Sequence, residues 1–146
     1  MKKLLLVGKT GCGKTTLTQA IQDQKISFRK TQAVSYSGAI VDTPGEFAEN
    51  RRFYSALVVS SYTCDIVGFV QDATAINSIF PPKFATMFNK KVIGIITKTD
   101  LDNCNLLRAQ KFLKWAGVSE IIQTSAIENI GIKTLQSYLD NKSLHK

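Results

Sequence analysis

Apolar residues along the chain fall into short continuous runs, separated by stretches with helical spacing. Lys3–Val7 reads as a buried strand and Lys14–Gln24 as a helix. Ala33–Tyr36 and Ala39–Val41 read as a short hairpin turning at Ser37-Gly38. Phe47–Ser61 has helical spacing, and Asp65–Gln71 is a strand. Ile76–Phe88 is expected to be a helix interrupted at Pro81-Pro82, because proline lacks the N–H and clashes with the preceding turn. Val92–Thr97 is a strand, Asn103–Ala116 a helix, Ser119–Gln123 a strand and Ile130–Leu139 a closing helix. The run Val92-Ile93-Gly94-Ile95-Ile96 does not alternate with polar residues, which suits a parallel strand covered on both faces. Strand–helix alternation of this kind predicts a single doubly wound α/β domain over 1–146, with its crevice at the carboxyl ends of the strands.

Composition narrows the setting. A chain of 146 residues buries roughly 68–70% of its unfolded surface and needs no staples. Its 44% hydrophobic content and mean hydropathy of −0.02 are those of an ordinary soluble globular protein. Cys12, Cys64 and Cys104 are odd in number and irregularly spaced, so reduced thiols in a cytoplasmic protein are expected. The start of the chain looks like a signal peptide, but Leu4-Leu5-Leu6-Val7 is too short for one, and too short to span a membrane. The net charge of +8 favours anionic partners. Lysines and arginines are spread in small clusters (Lys2-Lys3, Lys25–Lys30, Arg51-Arg52, Lys90-Lys91), so nucleic acid is not the expected partner.

The chemistry sits between the first strand and first helix. Gly8-Lys9-Thr10-Gly11-Cys12-Gly13-Lys14-Thr15 fits GxxxxGK[ST] without a mismatch, in the strand–loop–helix context that the motif requires. Its glycines let successive N–H groups turn inward at phosphate oxygens, and the helix N-terminus adds positive charge. Lys14 is expected on the β- and γ-phosphates and the Thr15 hydroxyl on Mg²⁺, with Thr16 completing the nucleotide contacts. Asp42-Thr43-Pro44-Gly45 ends the third strand, where Asp42 can hold Mg²⁺ through water and the Gly45 N–H can meet the γ-phosphate. Thr97-Lys98-Thr99-Asp100 ends another strand. A carboxylate at Asp100 can accept from guanine N1–H and the exocyclic amine, donors that adenine lacks on that edge. The Lys98 stem can pack along the base, and Thr97 stands where Asn is commoner, which is expected to weaken loop bracing. Thr124-Ser125-Ala126 ends the last strand and offers backbone N–H to the guanine O6.

In this order the four elements resemble the Ras-like GTPase superfamily over nearly the whole chain. The fold so implied is a three-layer P-loop NTPase with a mostly parallel sheet of about six strands. A closer resemblance is to the PduV/EutP family of bacterial propanediol and ethanolamine utilisation. It is carried by Gly8–Leu17, Lys30-Thr31-Gln32-Ala33, Asp42–Arg52 (DTPGEFAENRR), Phe53–Leu57, Val70-Gln71-Asp72-Ala73, Ile79-Phe80-Pro81-Pro82 and Ile93–Lys98. That resemblance implies GTP and GDP as ligands, Mg²⁺ as cofactor, and partners among the shell or pathway proteins of catabolic microcompartments.

Thr31 is the candidate first-switch threonine, ligating Mg²⁺ in the triphosphate state, and Phe28 a candidate for the base edge. Thr31 and Asp42 are 11 positions apart, so the second–third strand hairpin must be shortened. Glu46 follows Gly45 where Ras-like enzymes place a water-orienting Gln. Its carboxylate could accept a proton from the attacking water but repels the γ-phosphate by about 4 kcal/mol at 4 Å and an effective dielectric of 20, so Glu46 is expected to turn away or to act only once that charge is offset, and hydrolysis to be slow. Thr10 would crowd an incoming arginine finger, and Gly11 lacks the Asn of potassium-activated GTPases. Arg51 and Arg52 are expected as an exposed pair, although either could offset γ-phosphate charge; Cys12 is expected to pack inward, although loop amides could lower its pKa. Two other classes stay open: an ATPase or small-molecule kinase, and a docking module with a permanent nucleotide. A kinase needs an acceptor pocket and usually a lid, and no lid insertion is visible.

Overall fold

The fold is that of a computed structural model that describes residues 2–22, 35–37 and 39–139. Thr31, Phe28, the Lys25–Lys30 cluster, the expected strand residues Ala33 and Val34, the turn residue Gly38 and His145 lie outside the described residues. The strands are β1 Leu4–Val7, β2 Ser35–Ser37, β3 Ile40–Asp42, β4 Ile66–Asp72, β5 Lys91–Thr97 and β6 Ile121–Gln123. They form one sheet in the order β2-β3-β1-β4-β5-β6. Five are mutually parallel, and β2 is an antiparallel edge strand paired with β3. Among the described residues the β2–β3 register runs from Ser35↔Asp42 to Ser37↔Ile40, a short hairpin.

Side chains alternate across the sheet and feed two cores. Leu4 and Leu6 of β1 join Ile93 and Ile95 of β5 beneath α1 (Lys14–Ile21) and α5 (Ile132–Leu139), which contribute Leu17, Ile21, Leu135 and Leu139. Leu5 and Val7 join Phe69 and Ile96 on the other face, covered by Leu57 of α3 (Tyr54–Ser61) and Leu113 of α4 (Leu106–Trp115). The result is the three-layer α/β architecture of P-loop nucleoside triphosphatases.

Two expected helices are corrected. The expected helix Phe47–Ser61 is not continuous: α2 (Gly45–Glu49) starts earlier and stops at Asn50, whose backbone is extended at φ −126°. The Asn50 side chain accepts the Arg52 N–H at 3.1 Å and starts a 3-10 turn, Arg51–Phe53, ahead of α3. Ile76–Phe88 holds no α-helix, only a 3-10 turn at Phe84–Met87. Its four-residue spacing belongs instead to three aromatic anchors, Phe80, Phe84 and Phe88, which surround Phe69 at ring-centroid distances of 4.8, 5.3 and 5.7 Å. Main-chain bonds from Lys83 N–H to Trp115 C=O (2.9 Å) and Ala85 N–H to Ala116 C=O (2.8 Å) replace the helical ones. The apolar pattern was therefore a core signal, and Pro81-Pro82 decided the backbone.

Candidate functional site

The glycine-rich loop leaves β1 at Gly8 and enters α1 at Lys14. Gly13, at φ 102°, makes the left-handed turn that an L side chain rarely tolerates. Lys14 is buried, and its ammonium donates to the carbonyls of Gly8 (2.7 Å) and Lys9 (3.2 Å), bridging the loop from within. Thr15 and Thr16 sit half-buried on the first turn of α1. The Thr15 hydroxyl donates to Asp42 Oδ2 at 2.6 Å across 27 positions of sequence, because β1 and β3 are neighbours. This pair of hard oxygen donors suits Mg²⁺, which keeps waters and substrate oxygens on its other positions. Thr31 lies outside the described residues, so its place in that set is not part of this geometry.

At the carboxyl ends of β5 and β6, three loops are cross-linked. The Thr97 hydroxyl donates to the Cys12 carbonyl at 2.5 Å, so Thr97 does brace the glycine-rich loop. Lys98, at φ 61°, donates through its ammonium to the Gly11 carbonyl (2.7 Å) and to Asp72 Oδ2 (2.8 Å). Asp72 also accepts the N–H and O–H of Thr74, at 2.8 and 2.6 Å. Burial pushes its carboxyl up, but the bonds from Lys98 and Thr74 outweigh that and hold it below the usual aspartate range. Asp100 Oδ1 accepts the Ser125 hydroxyl at 2.7 Å, Ser125 Oγ in turn accepts the Glu128 N–H at 3.1 Å, and Thr99 donates to the Thr124 carbonyl at 2.9 Å. Ala126 follows, half-buried at the same end of the sheet.

At the other side of the loop, Gly45 packs so closely that a Cβ there would lie 2.1 Å from the Thr10 nitrogen. The residue that reaches the loop from α2 is Glu49, which accepts the Thr10 N–H (2.9 Å) and the Thr10 hydroxyl (2.7 Å). Glu46 is exposed on the first turn of α2. Arg51 and Arg52 are exposed too, and the Arg52 guanidinium lies over the Phe53 ring, 5.8 Å from its centroid. Cys12 packs inward as expected, and burial pushes its thiol up despite the opposing Lys14, against the alternative of an activated thiolate. A cavity of about 130 Å³ opens beside the loop, lined by Lys9, Thr10, Gln71, Asp72, Asn77 and Ser78 among others.

Sequence reasoning missed Glu49 and Asp72 as site residues. Both stood inside segments that carried the family resemblance, but neither belongs to a nucleotide motif, and only the fold brings them to the loop.

The loop between β1 and α1, with Asp42, Asp100 and Ser125 at strand ends around it, places the chain in the P-loop NTPase fold class. Within that class it belongs to the PduV–EutP family, described as ethanolamine utilisation – propanediol utilisation, whose profile matches residues 1–141. The propanediol utilization protein PduV of Citrobacter freundii is 40% identical over 143 residues, covering 97% of this chain and 95% of that protein. A protein named probable acetate kinase EutP from Escherichia coli (strain K12) is 32% identical over 142 residues, covering 95% and 89%. Its namesake in Salmonella typhimurium is 31% identical over the same length and coverage. Among the described residues, no helix is long and apolar enough to cross a membrane.

Proposed function

We propose that this chain is a guanine-nucleotide-binding protein with slow GTP hydrolysis that serves propanediol or ethanolamine catabolism. The observation that carries the reading is the cross-linked base end: Asp100 fixed by Ser125, and its loop tied to the glycine-rich loop through Thr97–Cys12 and Lys98–Gly11. A carboxylate oriented before the ligand arrives pays little to accept two guanine donors, and adenine would leave it unpaired. Thr15 and Asp42, joined by Thr31 in the triphosphate state, hold Mg²⁺, which when bound neutralises charge on the β- and γ-phosphates. Lys14 binds the phosphates, the Gly45 N–H faces the terminal one, and Glu46 in place of Gln keeps hydrolysis slow. The two nucleotide states then differ around Thr31 and α2, and shell or pathway proteins of a microcompartment read that difference.

Binding of fluorescent GDP, GTP and ATP analogues with Mg²⁺ tests this. Guanine preferred over adenine by about 100-fold or more supports the reading, and equal or better ATP binding contradicts it. Single-turnover hydrolysis is expected to stay the same or rise in Glu46→Gln; a sharp fall would remove the role given to Glu46.

A second reading is favoured by two observations. The EutP relatives are named probable acetate kinase, and the cavity beside Thr10 is large enough for a short carboxylate. In that reading the nucleotide is ATP and its terminal phosphoryl group passes to the carboxylate oxygen. Trapping of an acyl phosphate with hydroxylamine, after incubation with ATP and acetate or propionate, would establish it.

A further inference from the structure

The acid that meets the glycine-rich loop is not the one that the motif predicts. Glu49 stands on the last turn of α2 and takes both polar hydrogens that Thr10 offers, the N–H at 2.9 Å and the hydroxyl at 2.7 Å. The same helix begins at Gly45, whose backbone lies against Thr10 with no room for a Cβ. So α2 is seated on one loop residue from both ends. The bond from the Thr10 amide, aided by the Lys9 and Lys14 ammonium groups and opposed by slight burial, holds the Glu49 carboxyl below the usual glutamate range. It is therefore an anion at neutral pH, close enough to Lys14 to feel the charge that a terminal phosphate would also seek.

The geometry points to Glu49 as the residue that sets the preference for diphosphate over triphosphate. This inference rests on the nucleotide reading above, in which Gly45 marks the side of the loop facing the terminal phosphate. With α2 seated, that side holds a carboxylate already bonded to a loop amide. A diphosphate leaves the contact intact. A triphosphate brings a second anion to the same side and is accepted only when Glu49 lets go of Thr10. Release concerns the Glu49 side chain, exposed at the end of α2, while the helix itself is held by Ala48 in the core and by the Phe47–Phe53 stack. The bonds of the base end are separate ones: Ser125 to Asp100, and Lys98 and Thr97 to the Gly11 and Cys12 carbonyls further along the glycine-rich loop. Glu49 is a positioning and selecting residue here, not a catalytic one.

The test compares the Kd of GDP with that of a non-hydrolysable GTP analogue, in Mg²⁺, for the full chain and three variants. Glu49→Ala removes both charge and occupancy. Glu49→Gln keeps an acceptor oxygen for Thr10 and removes the charge, so it also guards against a helix that no longer seats. Glu120→Gln removes a carboxylate that pairs with Lys91, at the first residue of β5 and so at the amino ends of the strands. The expected result is a GTP-to-GDP affinity ratio raised about 10-fold in Glu49→Ala and several-fold in Glu49→Gln, with GDP affinity held within about twofold and Glu120→Gln like the parent. GDP binding at parental strength with an unchanged ratio in both Glu49 variants overturns the inference and leaves the nucleotide reading standing. A parent chain that binds neither nucleotide overturns both.

Discussion

At the β5–β6 end of the crevice, side-chain hydrogen bonds join positions 25 to 87 residues apart, from Ser125–Asp100 to Lys98–Gly11. At the α2 end, the seat on the loop is one carboxylate on Thr10 and one close backbone approach at Gly45. The first end is made by strands of a parallel sheet whose order brings distant loops together, and several bonds hold them there. The second end is the exposed Glu49 carboxylate on the last turn of α2, a five-residue helix whose Ala48 is anchored in the core. The difference matches the task each end has in the nucleotide reading. The base is the same in GDP and GTP and is met by a rigid frame; the terminal phosphate comes and goes and is met by a detachable part.

The strongest way to break this contrast is Lys14→Ala, which acts on both ends at once. It removes the ammonium that spans the loop, and GDP and GTP affinity should each fall by about 100-fold or more in equilibrium titration, with the fold intact by circular dichroism. Thr97→Val tests the rigid end. It removes a buried hydroxyl that reaches Cys12 C=O, at a cost of about 1–3 kcal/mol, so GDP and GTP affinity should fall together by about 10-fold and Tm should drop. Unequal losses for the two nucleotides would mean that the two ends are coupled. Gly45→Ala tests the detachable end, since its methyl group cannot fit against Thr10. Amide exchange at Thr10 should speed up several-fold while exchange at the β5 amides stays unchanged.

The smallest effect is electrostatic. Asp72 and Glu49 are both held below their usual ranges, so each contributes stability that is present above the ordinary carboxylate range and is lost as pH falls through the lower values kept in the fold. Asp72→Asn should lower stability by about 1 kcal/mol at neutral pH, as expected for a partly exposed pair, and should flatten the loss on acidification in denaturant titrations. A parent and variant with parallel acid profiles would remove Asp72 from the frame.

Much of the rigid end was legible in the sequence, because strands buried on both faces announce themselves as unbroken apolar runs and because Gly8–Thr15, Asp42, Asp100 and Ser125 stand at their ends. The shortened β2–β3 hairpin followed from chain length between Thr31 and Asp42. The detachable end was less legible. Helical spacing from Phe47 onward could not reveal that the Asn50 side chain would accept the Arg52 N–H, nor that the break would turn Glu49 rather than Glu46 onto the loop. Asp72 was hidden for a different reason: its partner Lys98 is 26 positions away and reaches it only because β4 and β5 are adjacent. In Ile76–Phe88, the spacing of Phe80, Phe84 and Phe88 fits a helix and a set of aromatic anchors equally well, and proline chose between them.

The central claim is that Asp100 reads guanine from a preformed frame. Its most direct test is the affinity of Asp100→Asn for GTP and XTP analogues beside the parent chain. The account predicts that guanine affinity falls by about 100-fold or more and that xanthine affinity rises to replace it, since an amide at this position can pair with the xanthine carbonyl. Tight ATP binding that Asp100→Asn leaves unchanged would contradict it and turn the site toward phosphoryl transfer from ATP.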